Sequence, residues 1–319
     1  MTGAASPLGR ALCAILTRRG DIVVGQVRRR GGIDVMHRLG VQPFLSDLGD
    51  AHALTRAMAG CDAVFHLAGY FDFWSKDQKT FDEINIEALK RTIAAAIVAK
   101  VRRVVVCSHA VTIGEEPGDK GHEYTNHRGY TRTAVERSKL AAERLAMKLR
   151  AKGIEIVVAN PGLIIAPGDT GWVGRFLAAG VAGRNHFATD RPMGWVWVND
   201  AAAGLVKVFE QGKDGERYIL CGDTLSPKQM LERIAMLAGT RAPAAMPAWR
   251  AWSNAAAGEA LARPFGKRPP ITLEEARFTT TGFRVDGSHA SEHLGLRYTP
   301  IGSYLPPVVN SYRQALKRF

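Results

Sequence analysis

The amino-acid sequence predicts an α/β fold in which a doubly wound parallel sheet is followed by a smaller C-terminal α/β part. Over the first two thirds of the 319 residues, short apolar runs rich in β-branched residues alternate with segments of helical periodicity. Near-continuous apolar strands of this kind are typical of parallel sheets covered by helices on both faces. The pattern loosens after Pro161. We therefore expect a larger domain over residues 1–165, with some later segments contributing, and a smaller part over 166–319.

The alternation defines the individual elements. In the larger domain, strands are expected at 22–27, 41–45, 63–67, 101–107 and 154–159. Helices are expected there at 7–19, 51–59, 79–100 and 133–152. In the smaller part, strands are expected at 194–198 and 217–221, and helices from 199, at 226–237, 273–277, 288–294 and 304–317. Residues 240–248 contain two prolines and are expected to form a loop.

Composition and charge limit the class of protein. The chain is 46% hydrophobic and 23% charged, which is typical of a globular protein and excludes a mainly disordered chain. No apolar run approaches the ~18 residues that a transmembrane helix needs. The net charge of +13 favours anionic partners such as nucleotide phosphates, nucleic acid or an acidic membrane face. Nucleic acid is the weakest of these, because no nucleic-acid-binding motif is present.

The four cysteines indicate neither a metal site nor a disulfide framework. Cys13, Cys61, Cys107 and Cys221 are widely separated and form no CxxC pair or Cys/His cluster with the spacing of metal ligands. The N-terminus also lacks the apolar stretch of a signal peptide. We therefore expect reduced thiols, a cytoplasmic location and no bound metal.

A short glycine-containing loop opens the first helix. Its glycines stand six residues apart, and small residues there let backbone N–H groups and the helix dipole face a pyrophosphate. The candidate cofactor contacts in this loop are Gly3, Ser6, Pro7, Leu8 and Gly9. The alternative is a simple turn that caps the helix, with Ser6 as the cap and Pro7 as the first helical residue.

The strand that normally precedes such a loop is missing from the sequence. Only Met1 stands before Thr2, whereas a strand of about five residues is usual. That strand would lie at the centre of the sheet, and its loss would leave buried backbone groups unpaired at a cost of roughly 1–3 kcal/mol each. We interpret the first strand as truncated because the start of the sequence is placed too late. A damaged domain is the alternative.

The residues after the strand expected at 22–27 predict which dinucleotide is bound. Arg28, Arg29 and Arg30 follow this strand directly. An acidic residue here would bind the ribose hydroxyls of NAD, whereas arginine suits the additional phosphate of NADP. We therefore expect NADP(H) to be favoured over NAD(H), with Arg28 as a cofactor contact. A solvated basic loop is the alternative.

The next two strand ends supply further candidate contacts. Asp47 and Leu48 follow the strand at 41–45 and are candidates for contact with adenine. Leu67, Ala68 and Gly69 end the strand at 63–67, where a dinucleotide would cross the edge of the sheet.

An ordered series of motifs runs through nearly the whole chain. They are TGxxxxxG at 2–9, DAVFHLAG at 62–69, YFDFW at 70–74, Asn85, SKLAAE at 138–143, NPG at 160–162, APGD at 166–169, WVWVND at 195–200 and GERYIL at 215–220. Together they resemble the extended short-chain dehydrogenase/reductase (NAD-dependent epimerase/dehydratase) family. Within it, the similarity is to the dihydroflavonol 4-reductase-like proteins, which include the hopanoid-associated sugar epimerases. The resemblance also implies Pro161, Gly162 and Leu163 as cofactor contacts.

The resemblance implies a catalytic serine, tyrosine and lysine, with the tyrosine four residues before the lysine. Hydride then moves between nicotinamide and a carbonyl carbon while the tyrosine hydroxyl exchanges a proton with the substrate oxygen. Lys139 matches the lysine, which binds the nicotinamide ribose. Val135 stands where the tyrosine is expected, and His109 stands where the serine is expected. Two of the three chemical groups are therefore replaced.

Four residues are candidates to replace the missing groups. His109 has an unperturbed pKa near ~6.5 and would serve as an acid near neutral pH. Ser108 and Thr112 are hydroxyls one and three positions away, and Tyr130 lies in the loop before the helix of Lys139. The alternatives are that His109 fills the space of the serine and that Tyr130 only packs in its loop.

Two functions follow from these observations. The first is an NAD(P)-dependent oxidoreductase or epimerase acting on a carbonyl or hydroxyl of a small organic substrate. The aromatic loop at 70–74 favours an apolar or aromatic substrate. The second is a catalytically silent dinucleotide-binding protein with a sensing or regulatory role. The resemblance also implies a homodimer paired through the long helices near 79–100 and 133–152.

Overall fold

A computed structural model describes residues 1–150, 153–185 and 187–317, apart from the side chain of Arg263. Its strands are β1 (Val24–Val27), β2 (Gln42–Leu45), β3 (Ala63–His66), β4 (Arg103–Cys107), β5 (Glu155–Pro161), β6 (Leu163–Ile165), β7 (Phe187–Ala188), β8 (Met193–Trp197), β9 (Arg217–Leu220), β10 (Asp223–Leu225) and β11 (Ala244–Ala245). Its helices are α1 (Pro7–Arg18), α2 (Gly31–Arg38), α3 (Ala51–Met58), α4 (Lys79–Asp82), α5 (Ala88–Val98), α6 (Ala134–Arg150), α7 (Trp172–Val181), α8 (Val198–Gln211), α9 (Pro227–Ala238), α10 (Ala248–Ala262), α11 (Leu273–Thr281), α12 (Ser288–Leu294) and α13 (Ile301–Leu316).

A parallel sheet covered on both faces forms the larger part of the molecule. β3, β4, β5 and β9 lie in that order, and β1 and β2 form a second parallel pair beside them. Successive residues of β4 point to opposite faces, so Val104 packs with α3, α5 and α6 while Val105 packs with α1 and α8. In β5, Ile156 pairs with Val104 and lies on the same face of the sheet, and Val157 pairs with Val105 and lies on the other face. The prediction of a doubly wound parallel sheet is confirmed.

Met1 and Thr2 join the two groups of strands. The Thr2 N–H donates to the Phe65 carbonyl oxygen at 3.0 Å, and the Gln26 N–H donates to the Met1 carbonyl oxygen at 2.9 Å. These contacts place Thr2 in a parallel bridge with His66 at the end of β3. The chain then leads directly from this bridge into the loop before α1.

A groove continues from this bridge between β1 and β3. Its volume is about 580 Å³, and its lining includes the facing edges of both strands together with the apolar side chains of Leu16, Leu54 and Phe209. The Met1 ammonium lies at its end and donates to the Val24 carbonyl oxygen at 2.8 Å. Burial lowers the pKa of this amino group. Along the groove, β1 and β3 therefore face each other, and no strand of the described residues lies between them.

The smaller part surrounds a second sheet of β10, β8 and β6. The chain passes from the main sheet to this one at Gly162, where an added Cβ would lie 2.7 Å from the Gly194 carbonyl oxygen. Glycine at this position therefore lets the end of β5 approach β8 closely. An apolar core that includes Leu177 of α7, Trp195 of β8 and Ile234 of α9 fills the space between the helices and this sheet.

Several elements differ from the sequence-based expectation. Residues 240–248 were expected to be a loop, but they contain β11 and the first residue of α10. The expected helix at 79–100 is divided by a π-helical turn, Glu83–Glu87. Residues 151–152, the end of the helix expected at 133–152, lie outside the described residues. Within the described parts of the chain, no helix has the length and apolar character needed to cross a bilayer.

An apolar extension of about five residues added before Met1 should fill the groove. It would pair with the facing edges of β1 and β3, and each new buried hydrogen bond contributes about 1 kcal/mol. We therefore expect thermal unfolding to show a Tm raised by several degrees. A glycine-serine extension of equal length is the control, because it offers no apolar side chains. An equal shift in Tm for both extensions would show that the groove is not filled.

The buried carboxyl of Glu115 predicts a pH-dependent stability. Burial raises its pKa to about 7, and only one of its oxygens is hydrogen-bonded within the described chain, by the Arg284 N–H. The folded state therefore binds more protons than the unfolded state between about pH 4.5 and 7, so stability falls as pH rises through this window. Glu115→Gln should raise the free energy of unfolding on the order of 2 kcal/mol at pH 8 and much less at pH 5. Denaturant titrations at both pH values measure this, and an equal effect at both would contradict it.

Candidate functional site

A cavity of about 250 Å³ lies at the carboxyl ends of the central parallel strands. It is bounded by the loop before α1, the ends of β3, β4 and β5, and the start of α7. The predicted site residues that line it are Ser6, Pro7, Leu8, Leu67, Gly69, Ser108, His109, Lys139, Pro161, Gly162 and Leu163. Ligands of open α/β sheets bind at this edge. The fold thus gathers residues from distant parts of the sequence around one space.

The loop before α1 closes tightly because its glycines lack side chains. Gly3 has φ +67°, and an added Cβ would lie 2.8 Å from the Ala68 nitrogen. At Gly9 an added Cβ would lie 2.4 Å from the Gly3 carbonyl oxygen. Ser6 caps the helix, since its Oγ accepts a hydrogen bond from the Gly9 N–H at 3.0 Å. Gly3, Gly9 and Ala68 therefore shape the loop without lining the cavity.

The three arginines after β1 lie at the surface. Arg28, Arg29 and Arg30 are exposed, and none of them forms an ion pair with another described residue. Gly32 places this segment near the loop before α1, because an added Cβ would lie 3.7 Å from the Ala5 Cβ. The guanidinium groups are thus available to an anion that reaches beyond the cavity.

Asp47 and Leu48 lie outside the cavity as well. Asp47 is exposed, and its Oδ1 accepts a hydrogen bond from the Gly49 N–H at 2.7 Å. Leu48 is half-buried against the apolar core under α3 and α5. Their contact with adenine remains a prediction.

Lys139 reaches the cavity from α6 and is almost fully buried. An added Cβ at Gly69 would lie 2.5 Å from the Lys139 Nζ, so the glycine leaves room for the ammonium group. Burial lowers the pKa of Lys139, while Cys107 and Glu143 oppose that shift.

Asn85 fixes the loop after β3 against α6. Its Nδ2 donates to the Ser138 Oγ at 2.8 Å and to the Tyr70 carbonyl oxygen at 3.1 Å. Its Oδ1 accepts from the Tyr70 N–H at 2.8 Å. Asn85 lies in the π-helical turn, which places the amide between the loop and the helix of Lys139.

His109 is a neutral hydrogen-bond donor at the wall of the cavity. Its Nδ1 accepts a hydrogen bond from the Val111 N–H at 3.0 Å, so the proton of the neutral ring lies on Nε2. Burial and the positive charge of Lys139 lower the pKa of His109 to about 3. The expectation of an imidazolium acid near neutral pH was therefore wrong. Its ring stacks on Phe71 with a centroid distance of 4.3 Å.

A buried polar cluster lies behind the wall. The Thr112 hydroxyl donates a hydrogen bond to Glu143 Oε1. The Asn160 Nδ2 donates to the same oxygen at a distance of 2.7 Å. Burial raises the pKa of Glu143, although these hydrogen bonds oppose the shift. Thr112 is fully buried in this cluster and does not line the cavity. Ser108 does line it, and its Oγ has no hydrogen-bond partner of good geometry within the described chain.

Two residues near Lys139 in the sequence do not reach the cavity. Tyr130 is 53% exposed, and the Arg128 guanidinium lies 5.2 Å above its ring. Val135 is completely buried in the apolar core of the smaller part. The structure therefore removes Tyr130 from the candidates for a proton donor, because its hydroxyl belongs to the outer surface.

Aromatic side chains form the wall of the cavity near α7. Phe71 and Trp172 line it, and Phe73 supports them with ring centroids 5.6 Å and 5.2 Å away. The ring centroid of Phe278 in α11 lies 4.5 Å from that of Phe73. This wall is apolar and rigid, since its rings contact one another from three separate segments.

Asp72 ties the aromatic loop to two distant segments, and sequence reasoning did not identify it. Its carboxylate accepts hydrogen bonds from Arg268 at 2.8 Å and 3.0 Å and from Arg175 at 2.7 Å. Burial alone raises the pKa of Asp72, but the hydrogen bonds from the arginines outweigh it and hold the pKa below its usual value. The available signal was a single acidic residue inside an otherwise aromatic run, although nothing in the sequence names its partners.

The described residues contain no group of three His, Cys, Asp or Glu side chains placed to hold a metal ion. The polar side chains behind the wall, such as Asn160 and Glu143, form hydrogen bonds with one another. Gly69, His109 and Lys139 line the cavity itself.

Comparisons with known proteins identify the family and agree with the fold. The model of the NAD dependent epimerase/dehydratase family matches residues 1–221. The chain is 26% identical over 322 residues to a putative dihydroflavonol 4-reductase of Synechocystis, covering 98% of this chain and 94% of the relative. It is 26% identical to sterol demethylase protein B of Methylococcus capsulatus, covering 98% of both. A solved nucleoside-diphosphate-sugar epimerase from Pseudomonas aeruginosa is 24% identical, with a TM-score of 0.78 over 98% of this chain and 96% of that one.

These findings confirm the similarity to dihydroflavonol 4-reductase-like proteins. They also support the expectation of an NAD(P)-linked enzyme, because the family and the relatives are reductases and epimerases of that kind. The family model matches residues 1–221 of the 319 residues, which is more than half of the sequence. The chain belongs to the NAD dependent epimerase/dehydratase family.

Proposed function

We propose that this protein is an NADP(H)-dependent oxidoreductase acting on a carbonyl or hydroxyl group of a small apolar or aromatic molecule. The observation that carries the proposal is the cavity wall, where a neutral His109 and the ammonium of Lys139 stand beside aromatic side chains. Family membership supports dinucleotide chemistry, and names such as sterol demethylase protein B support an apolar substrate class.

The residues around the cavity fit a dinucleotide. Ser6, Pro7 and Leu8 of the loop before α1 line the cavity, so a pyrophosphate bound there would lie at the N-terminus of α1. The Lys139 ammonium, which lies beside Gly69 and lines the cavity, would bind the nicotinamide ribose. Beyond the cavity, Arg28 offers a positive charge to an adenosine phosphate.

When bound, the nicotinamide would supply or accept the hydride. The Nε2–H of His109 would donate a hydrogen bond to the substrate oxygen, since its Nδ1 is already occupied by the Val111 N–H. The buried ammonium of Lys139 stabilises negative charge on that oxygen. Because burial lowers its pKa, Lys139 is also a stronger acid than a free lysine, and we assign the transferred proton to it.

A silent dinucleotide sensor is the second candidate function. It is favoured by Val135, which is completely buried at the position expected for the family tyrosine and cannot transfer a proton. A homodimer paired through α5 and α6 also stays a prediction.

Arg28→Glu should weaken the binding of NADPH about tenfold, because it removes a charge-assisted hydrogen bond to the additional phosphate. The affinity for NADH should hardly change. Quenching of tryptophan fluorescence measures both affinities. Arg38→Glu, an exposed arginine at the far end of α2, is the control for net charge. Tighter binding of NADH than of NADPH by the unaltered protein would overturn the proposed preference.

His109→Ala should lower kcat for NADPH-dependent reduction of aromatic or steroid-like ketones by about 10²-fold or more, because the substrate oxygen loses a hydrogen-bond donor. The Kd for NADPH should stay nearly the same. Absorbance of NADPH reports turnover, and His37→Ala on α2 is the control.

The same assay separates the enzyme from the sensor. NADPH binding without turnover of any ketone, together with activity created by Val135→Tyr, would support the silent sensor and reject the proposed enzyme. Full activity in His109→Ala would instead reject the role of His109.

A further inference from the structure

The outward face of α10 is apolar and exposed to solvent. Trp249 is 70% exposed and Leu261 is 75% exposed. Phe265, in the turn that follows the helix, is 74% exposed. Exposed alanines, including Ala256 and Ala257, occupy the face between Trp249 and Leu261. Single exposed apolar residues are ordinary, but large ones gathered on one helix mark an interaction surface.

The inward face of α10 is already occupied. Ala251 and Ala255 are buried against Ala276 of α11. Glu259 turns toward the same side, and its Oε1 accepts a hydrogen bond from the Leu273 N–H at 2.7 Å. The exposed side of α10 thus carries large apolar residues beside the polar Ser253 and Asn254, whereas a surface helix of a globular protein normally has a mainly polar outer face.

Exposed basic residues precede, lie within and follow α10 in the sequence. Arg241, Arg250 and Lys267 are exposed, and the Arg250 guanidinium lies 4.7 Å above the ring of Phe187. Glu259 is the sole acidic residue in the sequence between 240 and 270. Part of the net charge of +13 is thus concentrated next to exposed aromatic residues.

We propose that this face, formed by Trp249, Leu261 and Phe265 with the basic residues around it, docks on a bilayer surface that carries anionic headgroups. Tryptophan, phenylalanine and leucine beside arginine and lysine are the combination that places a helix in the membrane interface. The rings enter the headgroup region, and the basic side chains reach the lipid phosphates.

The charge distribution favours a membrane over a second copy of the chain. A symmetric dimer through this face would place the basic side chains of Arg241, Arg250 and Lys267 from both copies in one interface. Like charges facing each other oppose association. An anionic lipid surface instead complements every basic residue of the face at once.

Docking would bring the cavity close to the lipid. α11 lies directly beneath α10, and its Phe278 contacts Phe71 of the cavity wall with a centroid distance of 6.1 Å. The Thr272 hydroxyl, at the start of α11, donates to the Phe73 carbonyl oxygen at 3.0 Å. One helix layer therefore separates the docking face from the aromatic wall. The proposal does not rest on the proposed function, because docking needs neither cofactor nor turnover.

Co-sedimentation of the full chain with vesicles tests the docking. We expect binding to vesicles of phosphatidylcholine with phosphatidylglycerol, weakened by salt, and little binding to phosphatidylcholine alone. Trp249→Ser with Leu261→Ser and Phe265→Ser should lower the partition coefficient at least about tenfold. Arg250→Glu and Lys267→Glu should each lower it about fivefold or more.

Matched controls separate docking through this face from nonspecific adsorption by exposed apolar side chains. Ile22→Ser with Val98→Ser removes similarly exposed apolar side chains that precede β1 and end α5, outside α10, and should leave binding unchanged. Thermal unfolding checks that every variant folds. Unchanged vesicle binding in the triple variant would overturn the proposal. Absence of binding to anionic vesicles, or a dimer in sedimentation velocity that the triple variant abolishes, would overturn it as well.

Discussion

The backbone pairing of Met1 and Thr2 holds together the two groups of parallel strands on which the site is built. Through these residues, β3 and β1 keep the register that brings the loop before α1 to the end of β3. The approach of Gly3 to Ala68 depends on this register, because less than 3 Å would remain for a Cβ. The position of the loop and the shape of the cavity thus depend on very few hydrogen bonds.

Burial determines the chemistry of the cavity wall more strongly than residue type does. His109 and Lys139 are both basic groups that lose their preference for the charged form when water is removed. For the lysine, Cys107 and Glu143 oppose this shift, whereas for the imidazole the charge of Lys139 adds to it. Burial thus acts on both basic groups of the wall, but their neighbours oppose it at one and reinforce it at the other.

Short-range patterns predicted the parts of the molecule that short-range forces determine. Ser6 and Pro7 start α1, and Lys139 reaches the cavity from α6, as the motifs indicated. The ionisation of His109 was not predictable, because it depends on burial by residues far away in the sequence. Tyr130 failed as a candidate for a similar reason, since proximity in sequence to Lys139 does not place it on the same side of the molecule. α10 was missed because its apolar residues surround the helix and produce no amphipathic period.

The ion pairs of Asp72 have a consequence for how the wall of the cavity is held. A carboxylate that is largely removed from water becomes unfavourable when its arginine partners leave. Arg175 and Arg268 are themselves partly exposed, so solvent weakens this effect. One aspartate thus links the loop of Phe71 and Phe73 to α7 and to the segment before α11. The aromatic wall is therefore held from outside the cavity, by a side chain that does not line it.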